Sequence, residues 1–211
     1  MVRVKICGIT NLEDAIASVI AGCDALGFVF YKKSPRYITP GKAKKIIRLI
    51  PKDISKVGVF VNALEKDIRE TARKCKLDLL QFHGDESPEF CNKFKPYKII
   101  KAFRVKDKID RENILRYKTF AYLFDTFAKT KFGGTGKAFN RRLLKNIRRL
   151  KQKIFLSGGL NTQNVKEAIK IVHPQWVDVS SSVEIRPGKK DHKKVKQFVE
   201  TIKNSQRRFP S

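Results

Sequence analysis

A few residues in this sequence have the types and spacing to do chemistry together. Cys7, in VKICG, closes a short apolar run, and Gly8 after it lets the chain turn so that the sulfur faces the end of that run. A thiol becomes a base or nucleophile once a cation or helix-terminal amides lower its pKa. A free cysteine is otherwise a small buried hydrophobe, and the residue alone leaves Cys7 open between the two. Asp125, in AYLFDTF, follows four apolar or aromatic residues. A carboxyl so placed is partly desolvated, and the raised pKa suits a general acid; the alternatives are a helix cap or a partner for one of the many lysines. Arg36, in YKKSPRYITP, offers a planar fork to a carboxylate or phosphate, or is surface charge. Gly158 and Gly159, in LSGGLN, leave amides unscreened, Asn161 can cap the next helix, and Ser180, Ser181 and Ser182 add hydroxyls. Together these read as an anion cup, or as a tight turn and a polar strand end. His83, in QFHGDE, could line the same mouth, whereas His173 and His192 look structural; no His/Asp partner supports a serine nucleophile.

What must position these groups is an alternation of strands and helices. Eight strand-like runs are visible, at Val2–Cys7, Ala25–Phe30, Lys56–Val61, Leu77–Phe82, Lys98–Phe103, Phe120–Asp125, Ile154–Ser157 and Trp176–Ser181. Each is followed by a segment of helical periodicity, and the strands are short and mostly apolar, as parallel strands covered on both faces are. Eight βα units predict one domain over residues 1–211, a single (β/α)8 TIM barrel, with residues 206–211 as a frayed tail. A doubly wound sheet is the alternative. In a barrel, the C-terminal ends of the strands carry the chemistry and the loops after strands 7 and 8 frequently hold phosphate. That position favours the anion cup over the plain turn. Thr10-Asn11-Leu12-Glu13 reads as a capping box, Thr39-Pro40 and Ser87-Pro88 as caps before proline, Asn62 as a further start signal and Gly22 as a stop. The glycine-bearing stretch TFAKTKFGGTGK, 126–137, reads as a mobile lid after strand 6.

Lys+Arg 47 against Asp+Glu 20 gives a net charge of +27, which raises nucleic-acid binding as a rival function. The basic residues are dispersed over nearly every helix, however, with no accompanying zinc-finger, helix-turn-helix or aromatic RNA-binding signature. They predict solvated faces, no specific nucleic-acid partner and faster approach of a small anion. Cys7, Cys23, Cys75 and Cys91 form no CxxC pair and have no histidine at ligand spacing, so neither a disulfide framework nor a metal site is expected. No run approaches a membrane span and the start lacks a signal-peptide core, which predicts a cytoplasmic protein without a membrane partner.

In order along the chain, VKICGIT, FYKKSPRYI, VGVFVN, QFHGDE, FDTF with FGGTGKAF, LSGGLN, and VDVSSSVE with PGKKD resemble the phosphoribosylanthranilate isomerase family of tryptophan biosynthesis over nearly the whole length. The resemblance implies a metal-free, cofactor-free Amadori rearrangement of a small anionic phosphosugar by a monomer or homodimer. It implies Asp125 as general acid and Cys7 as general base. It further implies that Arg36 pairs with the anthranilate carboxylate, that Gly158, Gly159, Ser181 and Ser182 hold the phosphate, and that His83 and Asp178 line the site. The related histidine-pathway isomerase would call for an aspartate where this chain has Cys7. One departure stands out: the family commonly reads SSGVE, and Ser182 would be costly there if that backbone needs positive φ.

Overall fold

The computed structural model describes residues 1–105, 109–126 and 151–207. Eight parallel strands close into a barrel in chain order: β1 (Arg3–Cys7), β2 (Ala25–Val29), β3 (Ser55–Phe60), β4 (Leu79–Phe82), β5 (Lys98–Val105), β6 (Ala121–Thr126), β7 (Lys153–Leu156) and β8 (Trp176–Val179). The β1–β8 pairing, which sets Lys5 opposite Asp178, closes the ring and excludes the open doubly wound sheet. Helices α1 (Leu12–Ile20), α2 (Pro40–Ile47), α3 (Glu65–Cys75), α4 (Pro88–Asn92), α5 (Arg111–Leu115), α6 (Val165–Val172) and α7 (His192–Arg207) are described around it.

Side chains alternate along a strand, so each stave divides its residues between two cores. Ile6, Phe28, Phe60, Phe82, Phe124 and Leu156 face outward and pack with Ala15, Ile46, Ile68, Val165 and Phe198 of the helices. Ala25, Val57, Leu79, Ile100, Leu123, Phe155 and Trp176 fill the barrel's interior, where the Phe155 and Trp176 rings stack at 4.9 Å. Burying each large apolar side chain contributes about 1.5–3 kcal/mol. The same alternation that puts Leu123 inside puts Asp125 inside, two residues nearer the mouth.

Thr39 and Ser87 cap α2 and α4 before proline, as their sequences predict. Three start signals differ. Asn11, not Thr10, caps α1 by accepting from the Asp14 amide, while the Thr10 hydroxyl donates to the Gly188 carbonyl. Asn62 takes a left-handed backbone instead of capping α3, and its amide donates to Glu86. Asn161 closes the turn before α6 by accepting from the amides of Gln163 and Asn164, so Asn164 occupies the cap position. A two-stranded hairpin, β9 (Glu184–Arg186) with β10 (Lys189–Lys190), follows β8 and turns at Gly188, whose φ is +82°. Most of the lid predicted over 126–137 lies outside the described residues, as do 208–211 of the tail.

Candidate functional site

At the C-terminal rim, the loops after β7 and β8 flank a small cleft with Asp125 and Asp178 on its barrel side. Its far wall is Ser157, Gly158 and Gly159 on one loop and Ser180, Ser181 and Ser182 on the other. Gly158 and Gly159 have φ of +83° and +62°, a conformation that turns successive amides the same way at little cost only because no Cβ is present. After β8 the chain makes a single 3₁₀ turn, Ser181–Val183, at the place where barrels often add a short phosphate-facing helix. Among the described residues only Asn62, Lys76 and His173 are non-glycine positions with positive φ, so Ser182 escapes the strain expected of it. Its hydroxyl instead donates to the Leu160 carbonyl and ties the two loops together.

Cys7 and Asp125 both point inward from the ends of their strands. The thiol packs with Val29 and Val59 and lies against Gly27, where a Cβ would come within 2.7 Å of the sulfur. The carboxyl of Asp125 is buried, with Oδ2 3.3 Å from Nε2 of His83. Nδ1 of His83 is 2.9 Å from the Gln81 amide nitrogen. With that nitrogen donating, the imidazole proton sits on Nε2, facing Asp125, although the pair is too poorly aligned for a good hydrogen bond.

Beneath Cys7 on the same face of β1, Lys5 is fully buried and its ammonium is 2.8 Å from Oδ1 of Asp178. Burial disfavours the Lys5 cation, but Asp178 and then Cys7 outweigh it and hold the pKa above the ordinary value. Burial likewise pushes the Asp178 carboxyl up, and Lys5 pulls it back. For Cys7, burial raises the thiol pKa, with Asp178 adding to it, against the pull of Lys5 and Lys190. Cys23 and Cys91 are driven up to about 12 by burial and are inert packing thiols.

Arg36 is not free in the mouth as its loop suggests. Its Nε and Nη2 bind the Glu184 carboxylate at 2.6–3.1 Å, and Glu184 also accepts from Nζ of Lys190. Thus Asp125, Asp178 and both loops line one cleft; His83 stands behind Asp125, Cys7 is coupled to Asp178 through Lys5, and Arg36 is held by Glu184 outside the lining. Sequence reasoning missed Lys5, Gln81, Glu184 and Lys190. A lysine two residues before Cys7 in a central strand was a legible signal for the first; the others had none beyond their place in the quoted motifs. Among the described residues no three His, Cys, Asp or Glu side chains converge where they could hold a metal, and no helix is long and apolar enough to cross a membrane.

A closed barrel of eight parallel strands, with polar loops and buried ionisable groups gathered at the C-terminal rim, defines a (β/α)8 enzyme. Comparison makes the family specific. The N-(5'phosphoribosyl)anthranilate (PRA) isomerase family matches residues 4–201, and the chain belongs to it. The N-(5'-phosphoribosyl)anthranilate isomerase of Geobacter sulfurreducens is 48% identical over 203 residues, covering 96% of this chain and 99% of that protein. The crystal structure of phosphoribosyl anthranilate isomerase from Thermotoga maritima superposes with a TM-score of 0.91 at 47% identity, covering 97% of this chain and all (100%) of that one. A phosphoribosyl anthranilate isomerase solved with reduced 1-(o-carboxyphenylamino)-1-deoxyribulose 5-phosphate gives 0.88 at 45% identity, over 97% and 100% of the two chains.

Proposed function

We infer that this chain catalyses the Amadori rearrangement of N-(5-phosphoribosyl)anthranilate to 1-(2-carboxyphenylamino)-1-deoxyribulose 5-phosphate, a step of tryptophan biosynthesis in the cytoplasm. The observation that carries this reading is the cleft in which the buried Asp125 carboxyl meets the glycine-serine cup, with inward Cys7 at the end of β1 above the Lys5–Asp178 pair that borders it, in a chain of this family.

The phosphate sits against the amides of Gly158, Gly159 and Ser182 and the hydroxyl of Ser181, which fixes the ribose over the barrel mouth. Asp125 protonates the ring oxygen; the bond from that oxygen to C1 breaks and the nitrogen lone pair forms a cationic iminium. Cys7 removes the C2 proton, whose electrons neutralise the iminium to give an enolamine. Gain of a proton at C1 and loss of one from the C2 hydroxyl yield the ketone, so the reaction is proton-neutral. Burial raises the pKa of the Cys7 thiol, and the iminium's positive charge acts against that rise at the moment a base is needed. Arg36 pairs with the anthranilate carboxylate, His83 steadies the Asp125 carboxyl, and Asp178 anchors Lys5 beneath the base.

Purified protein given N-(5-phosphoribosyl)anthranilate should extinguish the aminobenzoate fluorescence. Cys7→Ala and Asp125→Asn should each lower kcat by about 10²–10⁴-fold while leaving the circular dichroism spectrum unchanged. Turnover close to the parent rate in either variant would remove that residue from the mechanism.

A further inference from the structure

The Glu184 carboxylate is saturated by this protein's own cations. Oε1 accepts from Nε of Arg36 at 2.9 Å, Nζ of Lys190 at 2.8 Å and the Gly188 amide at 3.2 Å; Oε2 takes Nη2 of Arg36 at 2.6 Å. The cluster is nearly dry, with side-chain exposures of 12% for Arg36, 3% for Glu184 and 0% for Lys190. Lys190 in turn donates to the carbonyls of Cys7 at 2.6 Å and Ser180 at 3.4 Å, the ends of β1 and β8. Desolvating three charges is expensive, and apolar residues of similar volume are often as stabilising. Fold stability alone therefore does not account for the cluster.

We propose that Glu184 is a positioning residue for substrate selection: it clamps Arg36 along the Nε–Nη2 edge and presents the opposite, Nη1 edge to the substrate's aryl carboxylate. Among the described residues no partner occupies that outer edge. A free arginine side chain carries rotamer entropy that binding would have to remove; Glu184 removes it on folding. The aliphatic part of the arginine is held too, since its Cδ lies where a Cβ on Gly8 would come within 2.6 Å. Because Lys190 ties the same carboxylate to the ends of β1 and β8, the carboxylate grip is set at a fixed distance from both Cys7 and the phosphate loop. The hairpin β9–β10 thus acts as a spacer that measures the substrate between its two anionic ends.

This inference rests on Arg36 gripping the aryl carboxylate, so the experiment separates the two. Steady-state kinetics are measured with N-(5-phosphoribosyl)anthranilate and with N-(5-phosphoribosyl)aniline, which lacks the carboxylate, product being followed by chromatography. Glu184→Gln should raise KM for the anthranilate substrate roughly tenfold with kcat little changed, and leave the aniline kinetics as in the parent. Arg36→Ala/Glu184→Gln should be no worse than Arg36→Ala. Glu184→Asp, which keeps the charge but withdraws it by one methylene, should show the same carboxylate-dependent loss and serves if the glutamine variant does not fold. Equal losses on both substrates, or additive losses in the double variant, would reduce Glu184 to a structural role and overturn the proposal. If Arg36→Ala discriminates the substrates and the Glu184 variants do not, this inference alone fails. If Arg36→Ala does not discriminate either, the role of Arg36 falls with it.

Discussion

The Cys7 sulfur stands between two opposed influences, a dry environment that favours the thiol and two buried ammonium groups, Lys5 and Lys190, that favour the thiolate. Asp178 adds its own negative charge to the thiol's side, and Asp125 and His83 act on Asp178 in turn. The neighbours from β2 and β3, Gly27, Val29 and Val59, carry no charge. Lys5 is therefore the lever: it is the largest of the influences lowering the thiol pKa, and Asp178 holds it in place. Replacing it with methionine keeps the length and removes the cation. Lys5→Met should move the pH midpoint of Cys7 alkylation by iodoacetamide upward and slow the reaction at neutral pH roughly tenfold, read at the Cys7 peptide by mass spectrometry. A midpoint equal to the parent's would show that the Lys5–Asp178 pair serves the barrel floor only. Cys7 and Asp125 were legible in the sequence because a thiol and a carboxyl each end an apolar run. Their common inward direction follows from the alternation along β1 and β6 once the barrel's two faces are known, because the unbroken apolar run of β6 does not say which face is which. The state of the sulfur was not, because it depends on Asp178, a residue 173 positions from Lys5 that meets it only when the ring closes.

At the level of elements, the loops after β7 and β8 are built by different means. The β7 loop relies on glycines with positive φ, and the β8 loop on a 3₁₀ turn braced by side-chain bonds, Ser182 to the Leu160 carbonyl and Ser180 to that of Cys7. Restoring glycine at Ser182 would remove one brace and add backbone freedom, yet keep the amide at that position. Ser182→Gly should lower the unfolding free energy by about 1–2 kcal/mol, measured by denaturant titration. The inhibition constant for inorganic phosphate should change by less than about twofold, since one solvent-exchangeable hydroxyl contact contributes little net binding energy. A large loss of phosphate affinity would show that the hydroxyl itself, and not the turn, holds the anion. The strands were readable from apolar runs to within one or two residues, because an element buried on both faces leaves an unbroken signal. The hairpin β9–β10 was not readable: two polar strands of three and two residues have no periodicity to detect, and Glu184 finds Arg36 across 148 positions.

Across the whole molecule, the net charge of +27 and the exposed lysines of α2 and α7 contrast with a few buried acids that join elements distant in the chain. Asp14 on α1 is the clearest of these. Its carboxylate accepts from the Lys190 amide at 2.7 Å and from Asn11 at 2.8 Å, meets His192 at the start of α7 at 2.8 Å, and faces Lys189 at 3.3 Å. One side chain thus links the first helix, the hairpin behind Arg36 and the last helix, where the ring of βα units closes. Burial alone would raise its pKa, but the bonds from Lys190, His192 and Asn11 and the charge on Lys189 outweigh burial and hold it below the ordinary aspartate value. Because the native state then binds fewer protons than the unfolded chain, this contribution is complete above the unfolded pKa of about 4 and is lost as pH falls through the lower native value. Asp14→Asn should consequently lower stability by about 1–3 kcal/mol at neutral pH. In parallel denaturant titrations the gap between parent and variant should narrow below about pH 4, as the parent's carboxyl takes up the proton that makes it resemble the amide. A gap that stays constant down to acid pH would mean that the shape of the side chain, not its charge, closes the barrel's outer ring.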